Sequence, residues 1–197
     1  MGKVFYIADI HLGHKNCLSY DNRPFTSIEE HDEVIINNWN DKVSIDDEVY
    51  LLGDVSWYNV TKTIEFLKQM NGAKHLIVGN HDQHFLKNSQ FRNEFVEIAP
   101  YKEIQLDGGH GIVLCHYPIP TYNHHYNGWL HFYGHVHSSF EWNMIEHFQQ
   151  DMQALYQKQS RMYNVGCMMP YMHWTPQTAQ AIEKNWLDWR ETMLDGV

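Results

Sequence analysis

Short apolar runs recur along the first half of the chain, and each one ends in polar side chains. Runs of this length that are bounded by turn residues predict buried strands. Three of them, each given with the polar group that follows it, are residues 4–8 with Asp9 and His11, residues 49–52 with Gly53-Asp54, and residues 75–78 with Gly79-Asn80-His81-Asp82. We attribute Gly79 to a sharp backbone turn at the end of its strand.

Between these runs, apolar residues recur at the spacing of amphipathic helices. One helix is expected to start at Ser27, where Glu30 completes a capping box, and residues 15–26 before it are expected to form a loop. A second helix is expected over residues 60–70. Strands that alternate with helices form a parallel sheet whose strand ends meet at one edge, so the polar groups are expected to lie together.

The second half of the chain has a different pattern. Residues 103–106 and 112–115 flank a glycine-rich turn, which predicts a hairpin of two antiparallel strands. The second of these runs ends at His116. Residues 130–133 predict a further strand, which ends at Gly134-His135-Val136-His137. Residues two apart in an extended chain point to the same side, so the two histidines of that segment are expected to share a site.

Two further helices are expected towards the end of the chain. Residues 141–159 carry apolar side chains at helical spacing, which we interpret as a packing or lid-like face rather than a cofactor site: Met144, Phe148, Met152 and Leu155. The last helix is expected to open at Thr175-Pro176, as a cap followed by a first-turn proline.

Composition narrows the class of protein. The 197 residues are 43% apolar and 19% charged, which predicts a single soluble domain over 1–197 without a membrane span or signal peptide. Cys17, Cys115 and Cys167 are expected to be reduced thiols of a cytoplasmic protein. The net charge of −10 argues against stable binding of nucleic acid, although bound cations can still attract a small phosphate ester. The oligomeric state stays open.

The strand ends together offer oxygen and nitrogen ligands without a thiolate. They are Asp9, His11, Asp54, Asn80, His81, His116, His135 and His137. Such a set suits divalent Mn, Fe, Zn or Ni. Seven of these eight residues are probable ligands, which exceeds the needs of one catalytic ion, so two ions that share one carboxylate fit better. Such ions lie about 3.5–4 Å apart and favour displacement at phosphorus.

These ordered blocks resemble the calcineurin-like metallophosphoesterase superfamily, and the whole chain is similar to its small bacterial and phage phosphoesterases. Besides the five blocks between Asp9 and His137, the likeness includes Arg23-Pro24-Phe25 and Asn164-Val165-Gly166. The resemblance implies an α+β fold with an α/β-like first half. The expected architecture is a four-layer αββα sandwich of two mixed β-sheets flanked by helices.

The resemblance also implies a role for each site residue. One metal ion would be held by Asp9, His11 and His137, the other by Asn80, His116 and His135, and Asp54 would bridge them. A metal-bound hydroxide would be the nucleophile, with Mn as the first expectation for both ions and Fe, Zn, Ni or Mg as alternatives. His81 would be the catalytic group that protonates the leaving oxygen, and Asp82 would orient it.

One departure from the superfamily bears on the substrate. After Gly53-Asp54 the chain lacks the Asp-Arg pair of the Ser/Thr protein phosphatases, so Arg23 or His14 is a candidate for contacting the phosphate. The expected reaction is hydrolysis of a small phosphodiester such as a nucleotide or cyclic nucleotide. The alternatives are a phosphomonoesterase acting on a small metabolite and a non-catalytic metal-binding scaffold. The retromer subunit is such a scaffold, but it lacks a histidine at the position of His81.

Overall fold

The computed structural model describes residues 2–194 and contains two four-stranded sheets. The first sheet consists, in spatial order, of β1 (Val4–Ile7), β2 (Glu48–Leu51), β3 (Ala73–Ile77) and β4 (Glu97–Ala99). The second sheet consists, in spatial order, of β5 (Tyr101–Gln105), β6 (Gly111–Cys115), β7 (Leu130–Tyr133) and β8 (Met162–Asn164).

Six α-helices and three short 3-10 helices connect these strands within the described range. The α-helices are α1 (Cys17–Tyr20), α2 (Ile28–Lys42), α3 (Val60–Gln69), α4 (Ser89–Arg92), α5 (Phe140–Tyr156) and α6 (Ala179–Leu194). The 3-10 helices are Phe85–Lys87, Asp107–Gly109 and His125–Asn127. The protein is therefore α+β. The expectation that residues 15–26 form a loop throughout is wrong, because α1 lies within this range.

The expected alternation of strands and helices in the first half is confirmed, but the first sheet is not mixed as expected. All of its described strand pairs are parallel. The physical reason is that each connection between neighbouring strands passes through helical segments, which returns the chain to the same end of the sheet. The second sheet is mixed, since β5 is antiparallel to β6 while β6, β7 and β8 run parallel.

The two sheets share one hydrophobic core. Tyr6 of the first sheet packs edge-on against Phe132 of the second, with ring centroids 4.8 Å apart. The same core takes in Ile35 and Trp39 of α2 and Leu67 of α3, all completely buried. The opposite face of the second sheet packs on α5. This packing is compatible with a layered helix–sheet–sheet–helix sandwich.

The inward face of α5 differs only in part from the predicted one, since Phe148 packs against the second sheet as expected. Trp142 and Ile145 pack against the second sheet, whereas Met144 and Leu155 are 62% and 69% exposed. The expected packing role is therefore wrong for these two residues. The helix carries apolar side chains on more than one face, and spacing alone does not tell which face the sheet covers.

The helix starts are partly as expected. Ser27 caps α2 by accepting a hydrogen bond from the Glu30 N–H, at 3.1 Å, and the Glu30 carboxylate accepts one from the Thr26 N–H at 2.7 Å. The last helix starts at Ala179 rather than at Thr175-Pro176. The chain stays extended before it because Gln177 pairs with Tyr6 of β1.

Two expectations about the whole chain have different outcomes. No helix of residues 2–194 is long and apolar enough to cross a membrane. The single domain over 1–197 stays a prediction, and residues 1 and 195–197 lie outside the described residues.

Candidate metal centre

The carboxyl ends of strands from both sheets meet at one place. Ala8, which follows β1, donates its N–H to the carbonyl of Val165 at 2.8 Å and accepts from the Cys167 N–H at 2.9 Å. The Gly134 N–H, after β7, donates to the carbonyl of His116, after β6, at 2.9 Å. The Ala8 bonds join the two sheets, and the Gly134 bond joins β6 to β7 within the second sheet. Side chains from five strand ends can therefore converge where the polar residues begin.

The backbone at this place is strained. Five of the predicted ligand residues have φ between 49° and 69°, in the left-handed region: Asp9, His11, Asp54, His135 and His137. Each such residue costs of the order of 1–3 kcal/mol, which the surrounding structure must compensate, and strain of this kind clusters at functional sites. Positive φ therefore occurs at five of the residues that the sequence pattern selected.

One group of potential ligands consists of Asp9, His11 and His137, whose ligand atoms lie within 4.8 Å of one another. Asp9 is completely buried, and its carboxylate accepts a hydrogen bond from the His135 N–H at 3.0 Å. The Nε2 atoms of His11 and His137 are 3.1 Å apart. The three side chains therefore point at a common position.

A second group consists of Asp54, His116 and His135, with ligand atoms equally close together. The Asn80 Oδ1 atom joins them, 2.9 Å from His116 Nε2 and 2.9 Å from His135 Nδ1. Asp54 lies between the two groups. Its Oδ1 is 3.6 Å from His116 Nε2, and its Oδ2 is 3.9 Å from His11 Nε2. A carboxylate in this position can contact ions in both groups.

The hydrogen bonds of the imidazoles indicate that these ligand groups bind a cation. His116 Nδ1 faces the Leu52 carbonyl at 2.8 Å, and His137 Nδ1 faces Asp21 at 2.9 Å, so both Nδ1 atoms must donate. In the neutral ring each Nε2 then carries a lone pair. His116 Nε2 points this lone pair at the Asn80 Oδ1 acceptor. Such an arrangement is repulsive without a cation.

The spacing of these atoms also fits a divalent ion. Two ligand atoms that bind one ion at about 2.1 Å and at right angles to each other are separated by about 3.0 Å. The observed separations of 2.9 and 3.1 Å match this value. The residues therefore fit two ions, and the donor set of nitrogen and oxygen does not distinguish among the expected metals.

Burial raises the pKa of one ligand and lowers that of another, and a bound cation would favour the deprotonated form of both. Complete burial raises the pKa of Asp9, although His137 and His116 nearby favour the carboxylate. Burial lowers the pKa of His11 well below its usual range, and the Arg23 guanidinium lowers it further. His11 is therefore neutral and able to use a lone pair, and a bound cation would compensate the buried charge of Asp9.

Asp21 supports His137 and was missed by the sequence reasoning. Its carboxylate accepts from His137 Nδ1 and also pairs with Arg23 at 2.8 Å. Burial alone would raise the pKa of Asp21, but the hydrogen bonds from His137 and Arg23 outweigh it and hold this pKa below its usual range. A carboxylate behind a ligand histidine fixes the orientation of its ring. No local spacing indicated a partner 116 residues away.

Arg23 is buried and does not line the cleft beside His81, which argues against the expectation that it contacts the phosphate. It is 3% exposed, and its Nη2 donates to the Asp9 carbonyl at 3.1 Å as well as to Asp21. Its Nη1 lies 2.9 Å from His31 Nε2 and donates weakly to the Ile10 carbonyl at 3.4 Å. The guanidinium therefore hydrogen-bonds to the backbone of the loop that carries Asp9 and His11.

Asp82 does not orient the His81 ring as expected. It is completely buried, and its carboxylate accepts from the N–H groups of Gly79 at 2.8 Å, Asp54 at 3.0 Å and Val55 at 3.0 Å. Burial raises its pKa, and these N–H groups act in the opposite direction. Asp82 therefore ties the segment after β3 to the segment after β2.

The interpretation of Gly79 also changes. The left-handed glycine of this region is Gly53, with φ of 82°. At Gly79 a Cβ would lie 2.6 Å from the Asp54 backbone nitrogen and would collide with the Asp54 carboxylate. Glycine is needed here for the close approach of two segments rather than for a turn.

His81 and His14 lie at the open side of the site. His81 is exposed, and its N–H donates to Asp54 Oδ1 at 3.0 Å. His14 is partly buried and stacks on Trp57, with ring centroids 4.0 Å apart. A cleft of about 340 Å³ opens beside His81 and is lined by Ser56, Trp57, Asn80, His81, Gln83 and His84. Its size suits a small ligand.

Comparison with known proteins identifies relatives that are similar in sequence. No protein-family model matches it. The uncharacterized protein MJ1445 of Methanocaldococcus jannaschii is 36% identical over 141 residues, which cover 71% of this chain and 72% of that protein. The chain belongs to the MJ1445 family. The Gene 66 protein of Mycobacterium phage L5 is 35% identical over 85 residues, which cover 42% of this chain and 41% of the phage protein.

A solved structure shares the fold of this MJ1445-family chain. It is the crystal structure of AQ665 from Aquifex aeolicus, described as a protein of unknown function. It superimposes with a TM-score of 0.68, covers 93% of this chain and 99% of its own, and is 24% identical. At this identity the likeness shows a shared fold alone, so the activity must be argued from the site.

Proposed function

We propose that this protein hydrolyses a small phosphodiester with the help of two divalent metal ions. The observation that carries the proposal is the convergence of two ligand groups, Asp9, His11 and His137 in one and Asp54, His116 and His135 in the other. When bound, the ions would supply Lewis-acid activation of a water nucleophile and of the phosphoryl group. Mn is our first expectation, with Fe, Zn, Ni or Mg as alternatives.

Different residues of the chain would bind the ions, transfer the proton and contact the substrate. Asn80 would complete the second ligand group, and Asp54 would contact both ions. His81 would donate a proton to the leaving oxygen, because it is exposed at the cleft and its backbone is held against Asp54. His14, stacked on Trp57 at the same opening, stays a candidate for a substrate contact.

The charge at the cleft favours a diester over a monoester. A phosphomonoester carries nearly two negative charges at neutral pH, because its second pKa is about 6. A diester carries one. The described lining of the cleft contains no lysine or arginine, and Arg23 is buried behind Asp9. A singly charged ester therefore needs less compensation here, and nucleotides with a diester bond, such as cyclic nucleotides, are candidate substrates.

The proposal is tested with bis-p-nitrophenyl phosphate and p-nitrophenyl phosphate. The protein is stripped with EDTA, reloaded with Mn²⁺, and its metal content is measured by calorimetry. We expect two ions per chain, hydrolysis only after reloading, and a clear preference for the diester. A preference for the monoester would support a phosphomonoesterase. Two bound ions with no hydrolysis of either ester would overturn the proposal and favour a non-catalytic scaffold.

His81→Ala separates catalysis from metal binding. We expect a loss of about 10²- to 10⁴-fold in kcat with two ions still bound, because the lost group transfers a proton and binds no metal. His110→Ala is the matched control, since His110 is exposed in the turn before β6, at the opposite end of that strand from His116. Unchanged turnover in His81→Ala would refute the role of this histidine.

A further inference from the structure

We propose that Trp57 is a positioning residue that holds the His81 ring at the cleft, an inference that rests on the proposed role of His81 as proton donor. The Trp57 and His81 rings lie with centroids 4.3 Å apart at an interplanar angle of 48°. Trp57 follows the Gly53-Asp54 segment, while His81 belongs to the segment after β3. The contact therefore links the two segments on their open side, as Asp82 does on their buried side.

The His81 side chain needs such support. Its described hydrogen bond, to Asp54 Oδ1, comes from the backbone N–H and leaves the ring free. Within residues 2–194, its aromatic ring neighbours are Trp57 and, further away at 6.4 Å, His11. An exposed imidazole can rotate among several staggered side-chain conformations. A ring that packs against it reduces the number of these conformations and keeps the proton near the cleft.

Trp57 itself is held firmly enough for this task. Its backbone N–H donates to the Leu12 carbonyl at 2.8 Å. The preceding residue, Ser56, is buried and forms an isolated parallel β-bridge with Leu12. His14 stacks on the indole with an interplanar angle of 7°, and the His11 ring lies 4.6 Å away. The indole is thus fixed to the loop that carries His11 and remains 36% exposed at the cleft.

An aromatic support also suits the charge of the substrate. A carboxylate beside His81 would orient the imidazole but would add a negative charge next to an anionic ester. The indole restricts the ring by packing and adds no net charge. Aromatic pairs change an equilibrium by about two- to tenfold beyond simple burial, and we expect an effect of that size on kcat.

The first test uses two diesters that differ in the leaving group, bis-p-nitrophenyl phosphate and diphenyl phosphate. Phenol is the poorer leaving group and depends more on protonation. For Trp57→Ala we expect kcat on diphenyl phosphate to fall about three- to tenfold, with KM within twofold and two ions still bound. The effect on the nitrophenyl ester should be smaller, and Trp57→Phe should recover most of the loss. Tyr156→Ala, which removes an exposed ring at the end of α5, is the matched control.

A double variant identifies whether Trp57 acts through His81. If it does, adding Trp57→Ala to His81→Ala should cause no further loss of kcat. An equal loss in both backgrounds would overturn the proposal, as would a rise in KM alone or a loss of bound metal.

A measurement without turnover keeps this inference separate from the proposed function. The NMR signals of the His81 ring protons should shift in Trp57→Ala, because the indole ring current is removed. Their chemical shifts should be unchanged in Tyr156→Ala. Unchanged His81 signals would overturn the positioning role whatever the activity. A wild-type protein that hydrolyses no ester would instead overturn the proposed function.

Discussion

Replacing Asp82 by alanine should destabilise the protein strongly, although Asp82 is neither a proposed ligand nor exposed to substrate. The carboxylate accepts three backbone hydrogen bonds, from Gly79 and Asp54 to Oδ2 and from Val55 to Oδ1. Leaving a buried donor unsatisfied costs about 1–3 kcal/mol, so three of them should cost about 3–9 kcal/mol. Domains are stable by only about 5–15 kcal/mol, so the variant should lie close to unfolding.

Asp82→Asn provides a graded comparison. Its single carbonyl oxygen, placed where Oδ2 lies, keeps the bonds from Gly79 and Asp54 and loses the one from Val55. The Val55 N–H then loses its acceptor and faces the amide NH2 group, so the loss in free energy of unfolding should be at least about 1–3 kcal/mol, still smaller than the loss in the alanine variant. Asp46→Ala, at an exposed turn, should change stability by less than about 0.5 kcal/mol.

The assay is urea denaturation followed by circular dichroism, with EDTA present so that metal binding does not add to stability. The expected order of stability is wild type, Asp82→Asn, Asp82→Ala. If the alanine variant loses less than about 1 kcal/mol, or if both variants lose the same amount, the three hydrogen bonds do not hold the segments together and the reasoning is wrong.

Two further predictions concern acid stability and metal affinity. Burial lowers the pKa of His131 from 6.5 to about 4, although the hydrogen bond that its ring donates to the Val113 carbonyl acts in the opposite direction. The Nε2 of the neutral ring accepts from the Ile119 N–H. Its folded pKa is depressed, so its contribution is present above pH 6.5 and is lost as the pH falls towards 4, by about 3 kcal/mol in all. Denaturation curves across this pH range should show the loss, and a curve for His131→Gln that is just as steep would contradict it. Asp21→Asn should weaken metal binding about 10- to 100-fold, because His137 loses the carboxylate that orients it. Calorimetry with Mn²⁺ measures this, and affinity equal to the wild type would show that Asp21 does not support the ligand.

The strands and the convergence of their ends were predictable because both depend on local pattern. The apolar runs before Asp9, Asp54 and Asn80 formed parallel strands as expected. Parallel strands necessarily bring their carboxyl ends to one edge. The short strand β4, with three residues and no alternation of apolar and polar positions, gave no such pattern. The inward face of α5 was also undetermined, because more than one of its faces is apolar.

The partners of individual side chains were decided only by the tertiary structure. Asp21 meets His137 across 116 residues, and Asp82 reaches Asp54 across 28. Arg23, expected near the phosphate, is instead buried behind the loop after β1. The sequence by itself determined which residues stand at the strand ends, since periodicity along the chain encodes strands. Which of those residues bind, support or stay exposed depends on segments that are distant in sequence, and packing brings them together.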